Sequence, residues 1–192
     1  MDKITSNISK WISIHTLNEI IDDLITKSAS KKCNYGIVDP FKKSIDCYIF
    51  NIKENDYLQF EQKRILDKSI SMNIGYFHEN VLKNCIGWKS TNEKYMDLCN
   101  VEETIYIQLK NKYNTLNSTA MRQVHKDLLS ISIKYSCKTY LGIIIDKKPK
   151  KKVILENVGY ISGKYLFELV TSDINAFDDL LEYFTYYIEC CQ

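Results

Sequence analysis

The sequence predicts an α/β fold, a mixed central β-sheet flanked by helices. Three observations predict it. Apolar side chains in the first 70 or so positions recur at three- and four-residue steps; short runs rich in β-branched and aromatic residues follow; and helical patterns return between and after those runs. A chain of 192 residues can bury one sizeable core, so a single domain over 1–192 is expected. Within it, 1–72 reads as a mainly helical part, 73–177 as the core and 173–192 as a C-terminal helix.

From Asn7 to Thr26, Ile8, Trp11, Ile12, Ile14, Leu17, Ile20, Ile21 and Leu24 fall on one helical face, which predicts a single N-terminal helix. Asp46–Lys53 fits either a short strand, through Cys47-Tyr48-Ile49-Phe50-Asn51-Ile52, or a helix continuing to Leu58 and Phe60. The spacing of Leu58, Ile65, Leu66, Ile70, Ile74, Phe77, Val81 and Leu82 predicts a second helical region between Tyr57 and Asn84. Trp88–Asn100, the polar Val101-Glu102-Glu103 and Thr104–Lys110 read as strand, turn, strand.

Ser118 or Thr119 is suited to cap a helix through Met121, Val124, Leu128, Leu129 and Ile131. Thr139–Ile145, apolar at its centre, and Val153-Ile154-Leu155 read as inner strands joined by a turn over Asp146–Lys152. Ser172 or Asp173 is expected to cap a last amphipathic helix through Phe177, Leu180, Leu181, Phe184 and Tyr187.

The composition is that of a soluble protein, 45% hydrophobic and 26% charged, and six Gly and two Pro leave no room for a long low-complexity linker. A net charge of +2 from 26 basic and 24 acidic side chains means that attraction to nucleic acid must come from local distribution. Seven cysteines without C-x-x-C spacing argue against a zinc site and a paired disulfide framework, and fit a reducing cytoplasm. No run has signal-peptide or membrane-span character, so a cytoplasmic location without membrane association is expected.

Chemistry concentrates on the second strand of the expected hairpin. Alternation puts Gln108 and Lys110 on one face, with Ile105, Ile107 and Leu109 turned into the core. Asp97, on the neighbouring strand, reaches the same point. A hard cation such as Mg²⁺ takes oxygen ligands, which the Asp97 carboxylate, the Gln108 carboxamide oxygen and the Leu109 peptide carbonyl supply. Lys110 then orients or deprotonates an attacking water, or stabilises charge developing on a phosphate. Asp-x10-Gln-x-Lys alone is a weak pattern, because such faces are common on globular surfaces.

Three stretches sharpen it. They are Asn73-Ile74-Gly75-Tyr76-Phe77-His78-Glu79-Asn80 with Gly87-Trp88; Asp97 followed by Ile105–Ser118, including Lys110-Asn111-Lys112-Tyr113-Asn114-Thr115-Leu116-Asn117-Ser118; and Ile161–Thr171 leading into Ala176-Phe177. In these the chain resembles the type II restriction endonucleases of the PD-(D/E)XK superfamily, in particular a subgroup that cuts short interrupted palindromes such as GGNCC. The resemblance implies a restriction-endonuclease-like nuclease core, Mg²⁺-dependent hydrolysis of double-stranded DNA, a homodimer, and a cognate DNA methyltransferase in the same system that need not bind.

One departure stands out: the family pattern has Glu where this chain has Gln108. The resemblance extends to active methylation-dependent restriction nucleases with Gln there, and to superfamily members that recruit a helix Glu as metal ligand, the place of Glu79 here. Lys112, Asn114, Asn117, Ser118 and Arg122 form a polar, basic stretch suited to phosphate and base-edge contacts. Lys147-Lys148-Pro149-Lys150-Lys151-Lys152 reads instead as a solvated turn that discourages edge pairing. His15, His78 and His125 show no ligand spacing and receive no role. Two alternatives share these residues: a repair or junction-resolving nuclease of the same fold, and a DNA-binding protein with weakened catalysis.

Overall fold

The computed structural model of the protein describes residues 1–30, 38–113 and 116–190. They form two compact units, one of Met1–Ile21 with Gly75–Gln192 and one of Asp22–Ile74. Two helices, α2 (Ile14–Ala29) and α4 (Tyr57–Lys83), contribute residues to both.

In the smaller unit, α3 (Pro40–Phe50) starts at Asp39, whose Oδ1 accepts from the N–H of Phe41 at 2.9 Å and of Lys42 at 3.3 Å. Pro40 occupies the first turn, where a missing N–H costs nothing, and Asn51 stops the helix in the left-handed region at φ 51°. These end signals settle Asp46–Lys53, open between strand and helix in the sequence, largely as helix. Tyr57, 2% exposed, donates its hydroxyl to Asp46 at 3.0 Å. Phe60 packs against both Tyr57 and Phe50.

In the larger unit the helix expected over Asn7–Thr26 is two helices, α1 (Asp2–Ile8) and α2. Trp11 and Ile12 between them are buried, and the Trp11 carbonyl accepts from the N–H of Ile86 at 2.8 Å. Tertiary burial of the joint therefore outweighs helical continuity. The helix expected over Tyr57–Asn84 forms as α4.

The sheet has six strands: β1 (Trp88–Ser90), β2 (Leu98–Asn100), β3 (Ile105–Lys112), β4 (Lys138–Ile145), β5 (Lys151–Leu155) and β6 (Val158–Ser162). They lie in the order β1-β2-β3-β4-β6-β5. β1, β2 and β3 form an antiparallel meander, β3, β4 and β6 run parallel, and β5 returns antiparallel at the edge. The parallel pair β3–β4 needs a crossover, and α5 (Ser118–Tyr135) supplies it. The chain is thus α/β with a mixed sheet flanked by helices, as expected.

Three local expectations change. Val153-Ile154-Leu155 is not an inner strand: β5 is an edge, with Val153 and Leu155 exposed, and the inner place belongs to β6, where Val158, Ile161 and Ser162 are buried. α5 is capped one residue early, by Asn117, whose Oδ1 accepts from the Ala120 N–H at 2.8 Å. Ser172 does not start the last helix but ends a helix the sequence did not suggest, α6 (Lys164–Thr171), in the left-handed region. The last helix, α7, spans Ala176–Cys190.

Each sheet face has its own cover. Cys99, Tyr106, Leu141, Ile143 and Val158 pack with Val124, Leu128 and Ile131 of α5. On the other face Ile107 and Leu109 close around Gly142 together with Leu166 of α6; Phe77 of α4 meets Phe184 of α7 in a tilted pair, ring centroids 5.1 Å apart. Burying both faces is what makes the central strands near-continuously apolar.

Candidate active site

β3 enters the site from the core. Its register with β2 pairs Leu98 with Ile107 and Cys99 with Tyr106. The paired residues of β2 end at Leu98, so Asp97 stands just before the ladder. The Asp97 N–H donates to the Ile107 carbonyl at 3.0 Å, and an Asp97 carboxylate oxygen accepts from the Leu109 N–H. Asp97 thus continues the ladder with its side chain at the point where the β2 backbone has turned away.

That switch has a chemical consequence. The N–H and C=O of one strand residue leave on the same side, so the Leu109 carbonyl also faces the Asp97 side of β3. The expected oxygen set, the Asp97 carboxylate, the Gln108 carboxamide and the Leu109 carbonyl, is therefore presented by one short stretch of hairpin. Gln108 is only half-buried as a residue, yet its Oε1 is buried and accepts no hydrogen bond among the described residues. A buried carboxamide oxygen without a donor is costly, by about 1–3 kcal/mol, unless something electropositive meets it.

The surrounding charges fit an ion site. Burial pushes the Asp97 carboxyl up, against the Leu109 N–H and the Lys110 charge, which pull it down. Glu79, on α4, is also raised, first by burial and then by the negative charge of Asp97, with Lys83 opposing. Two half-buried carboxyls, one of which disfavours the other's ionisation, together with an orphaned carboxamide oxygen, are what a hard cation relieves. All four donors are oxygens, which suits Mg²⁺ or Ca²⁺ better than zinc. Among the described residues no cluster of three or more His, Cys, Asp or Glu is placed to hold a metal, consistent with a set that relies on amide oxygens.

One expectation about β3 is refined. Gln108 and Lys110 do share a face, but it is not a simple wet face, because Tyr106 on it is buried beneath α5. The pocket is thus partly dry.

Sequence reasoning gave His78 no role. Its Nδ1 lies 3.0 Å from Asn111 Oδ1, and burial holds the imidazole down at about 4, against the pull of that hydrogen bond. His78 precedes Glu79, and Asn111 follows Lys110. The only signal in the sequence was adjacency to candidate site residues.

The expected DNA contacts separate into groups. Lys112 ends β3, exposed; Asn117, Ser118 and Arg122 are exposed at the start of α5. Asn117 uses its carboxamide oxygen for the cap. Asn114 lies outside the described residues.

Comparison with known proteins bears on this arrangement. The family model described as Eco47II restriction endonuclease matches residues 9–190. Among curated proteins, the chain is 28% identical over 206 residues to the type II restriction enzyme Sau96I of Staphylococcus aureus, covering 92% of this chain and 78% of the relative. It is 25% identical over 201 residues to the type II restriction enzyme Eco47II of Escherichia coli, covering 91% of this chain and 84% of the relative.

Proposed function

The chain belongs to the Eco47II restriction endonuclease family, and on that premise we propose that it cuts a short interrupted palindrome, of the GGNCC kind, through a Mg²⁺ site made by Asp97, Gln108, Leu109 and Glu79. It is an endodeoxyribonuclease, a type II restriction enzyme acting on double-stranded DNA. The observation that carries the proposed site is the buried, unpartnered Oε1 of Gln108, next in sequence to Leu109, whose N–H bonds the Asp97 carboxylate.

Asp97 holds the metal and is itself held by the Leu109 N–H. Gln108 and the Leu109 carbonyl complete the protein side of the shell, and Glu79 adds the charge that Gln108 lacks. When bound, Mg²⁺ neutralises phosphate charge and acidifies a coordinated water. Lys110, whose charge acts on Asp97, positions the attacking water and stabilises the charge that accumulates on the phosphate in the transition state. Two copies related by a two-fold axis would each cut one strand of the palindrome. Lys112, Ser118 and Arg122 serve as phosphate and base contacts beside the site, with a cognate methyltransferase protecting host sites.

The test is a digest of long duplex DNA with Mg²⁺. Discrete fragments that vanish when the cation is chelated are expected; metal-independent cutting, or no cutting at any Mg²⁺ concentration, would overturn the proposal.

A further inference from the structure

We propose that the connection Lys147–Lys152 is a built phosphate-binding surface that grips duplex DNA away from the reacting phosphate; the inference rests on the nuclease reading above. Five of the chain's 26 basic side chains fall in these six positions, in a protein with an excess of only two. The remainder of the chain is therefore net acidic, and this segment is its densest positive feature. All five lysines are exposed, and none forms an ion pair among the described residues.

A merely solvated turn has no reason to be tied down, and this one is. Asp146 Oδ2 accepts from the hydroxyls of Tyr160 at 2.7 Å and Ser162 at 2.8 Å, while Oδ1 accepts from the Lys148 N–H at 3.2 Å. The Lys150 N–H donates to Ser162 Oγ at 3.0 Å, and the Lys150 carbonyl accepts from the Ser162 N–H at 2.9 Å. Pro149 packs on Gly163, whose missing Cβ would lie 2.8 Å from Pro149 Cγ. The neighbouring acid, Asp146, is thus tied to Tyr160, Ser162 and the Lys148 N–H, and although its charge is felt by Lys150 it forms no ion pair with any of the five lysines, against which it is a single opposing charge.

The sheet then places them. Register aligns Gln108 with Leu141, Leu141 with Tyr160, and Tyr160 with Lys152, so all four lie on one face by the alternation of strands. Lys150 Nζ sits 5.1 Å from the Tyr160 ring centroid on that face. Tyr160, Leu116 and Met121 pack against the same cluster, which joins the connection to the start of α5, where Ser118 and Arg122 are exposed. Three strand spacings of about 4.8 Å separate β5 from β3. Duplex DNA carries a charge about every 1.7 Å of its axis, so a duplex seated at Lys110 and running across β4 and β6 has phosphates beside this connection.

The competing account is edge protection, because Lys151 and Lys152 lie on edge strand β5. The experiment therefore neutralises the residues before the strand. A 30-base-pair duplex is titrated in metal-free buffer across a salt series, using the parent chain, the triple variant Lys147→Gln, Lys148→Gln, Lys150→Gln, and the corresponding triple Lys→Arg. Each lost phosphate contact lowers the slope of log affinity against log salt by about 0.9. The Gln variant should lose about two to three units of slope, and the Arg variant should keep the parent's. A Gln variant with the parent's slope and affinity overturns the proposal. Should the triple variant melt early, the pair Lys147→Gln, Lys148→Gln, remote from the Tyr160 ring, must still lose about two units. A parent chain that binds no duplex at low salt would instead sink the nuclease reading, and this inference with it.

Discussion

His78 Nδ1 and Asn111 Oδ1, 3.0 Å apart, join α4 to β3 directly behind the proposed metal site. The residue after His78 is Glu79, and the residue before Asn111 is Lys110, so one hydrogen bond sets the spacing between the helix carboxyl and the catalytic strand. His78→Ala removes this partner from the half-buried Asn111 carboxamide and leaves a space behind the helix, and should cost about 1 kcal/mol or more in denaturant unfolding. It should also raise the Mg²⁺ concentration for half-maximal cleavage while leaving duplex affinity in metal-free buffer unchanged. An unchanged Mg²⁺ requirement would show that the bond only stabilises the fold.

Lys110→Ala should lower the single-turnover cleavage rate by about 100-fold or more while leaving DNA affinity within a few-fold, since its proposed role is on charge that develops during reaction. Asp97→Asn should abolish metal-dependent cleavage. Cleavage by either variant at the parent's rate removes that residue from the site.

Gln108→Glu should preserve or raise activity and shift the Mg²⁺ dependence to lower concentration, since a full charge replaces a dipole beside the ion. Glu79→Gln should shift it the other way. In the proposed site both groups serve one cation, so the double variant should be strongly non-additive. Additive effects with no change in Mg²⁺ dependence would mean that neither touches the metal.

Gly159 and Gly75 should respond to alanine with opposite signs. A Cβ at Gly159 would lie 2.6 Å from Tyr140 Cε1 and 3.4 Å from the Lys152 carbonyl oxygen, so Gly159→Ala should destabilise by about 1–3 kcal/mol. Gly75 lies within α4 with nothing within 4 Å of its missing Cβ. Gly75→Ala should stabilise by about 0.5–1 kcal/mol. Thermal melting of the two variants decides both.

Much of this was legible in the sequence where a local rule and the tertiary fold agree. The period of α4, the strand over Thr139–Ile145 and the alternation of Gln108 and Lys110 follow from side-chain spacing alone. The break between α1 and α2 was hidden, because Trp11 and Ile12 continue the helical spacing and are held instead by a distant carbonyl–amide bond to Ile86. β6 was hidden because Val158-Gly159-Tyr160-Ile161-Ser162 is short and interrupted by a glycine that its neighbour Tyr140 requires. At the site, Asp97 was reachable from hairpin geometry, whereas the placement of Glu79 beside it depends on how α4 docks, which no spacing encodes. The anchoring of the lysine-rich connection was likewise invisible, since Asp146 finds Tyr160 and Ser162 only after β6 pairs with β4.

The order in which β3 meets its neighbours bears on safety inside a cell. Every residue of the proposed catalytic set has been synthesised by position 110, but the strand that carries three of them pairs on its far side with β4, which begins at Lys138. Until α5 and β4 have been synthesised, β3 has an open edge and Tyr106 lacks the helix that covers it. A half-made chain therefore carries the proposed catalytic residues without the scaffold that aims them, and the site proposed here is complete only after most of the sheet has closed.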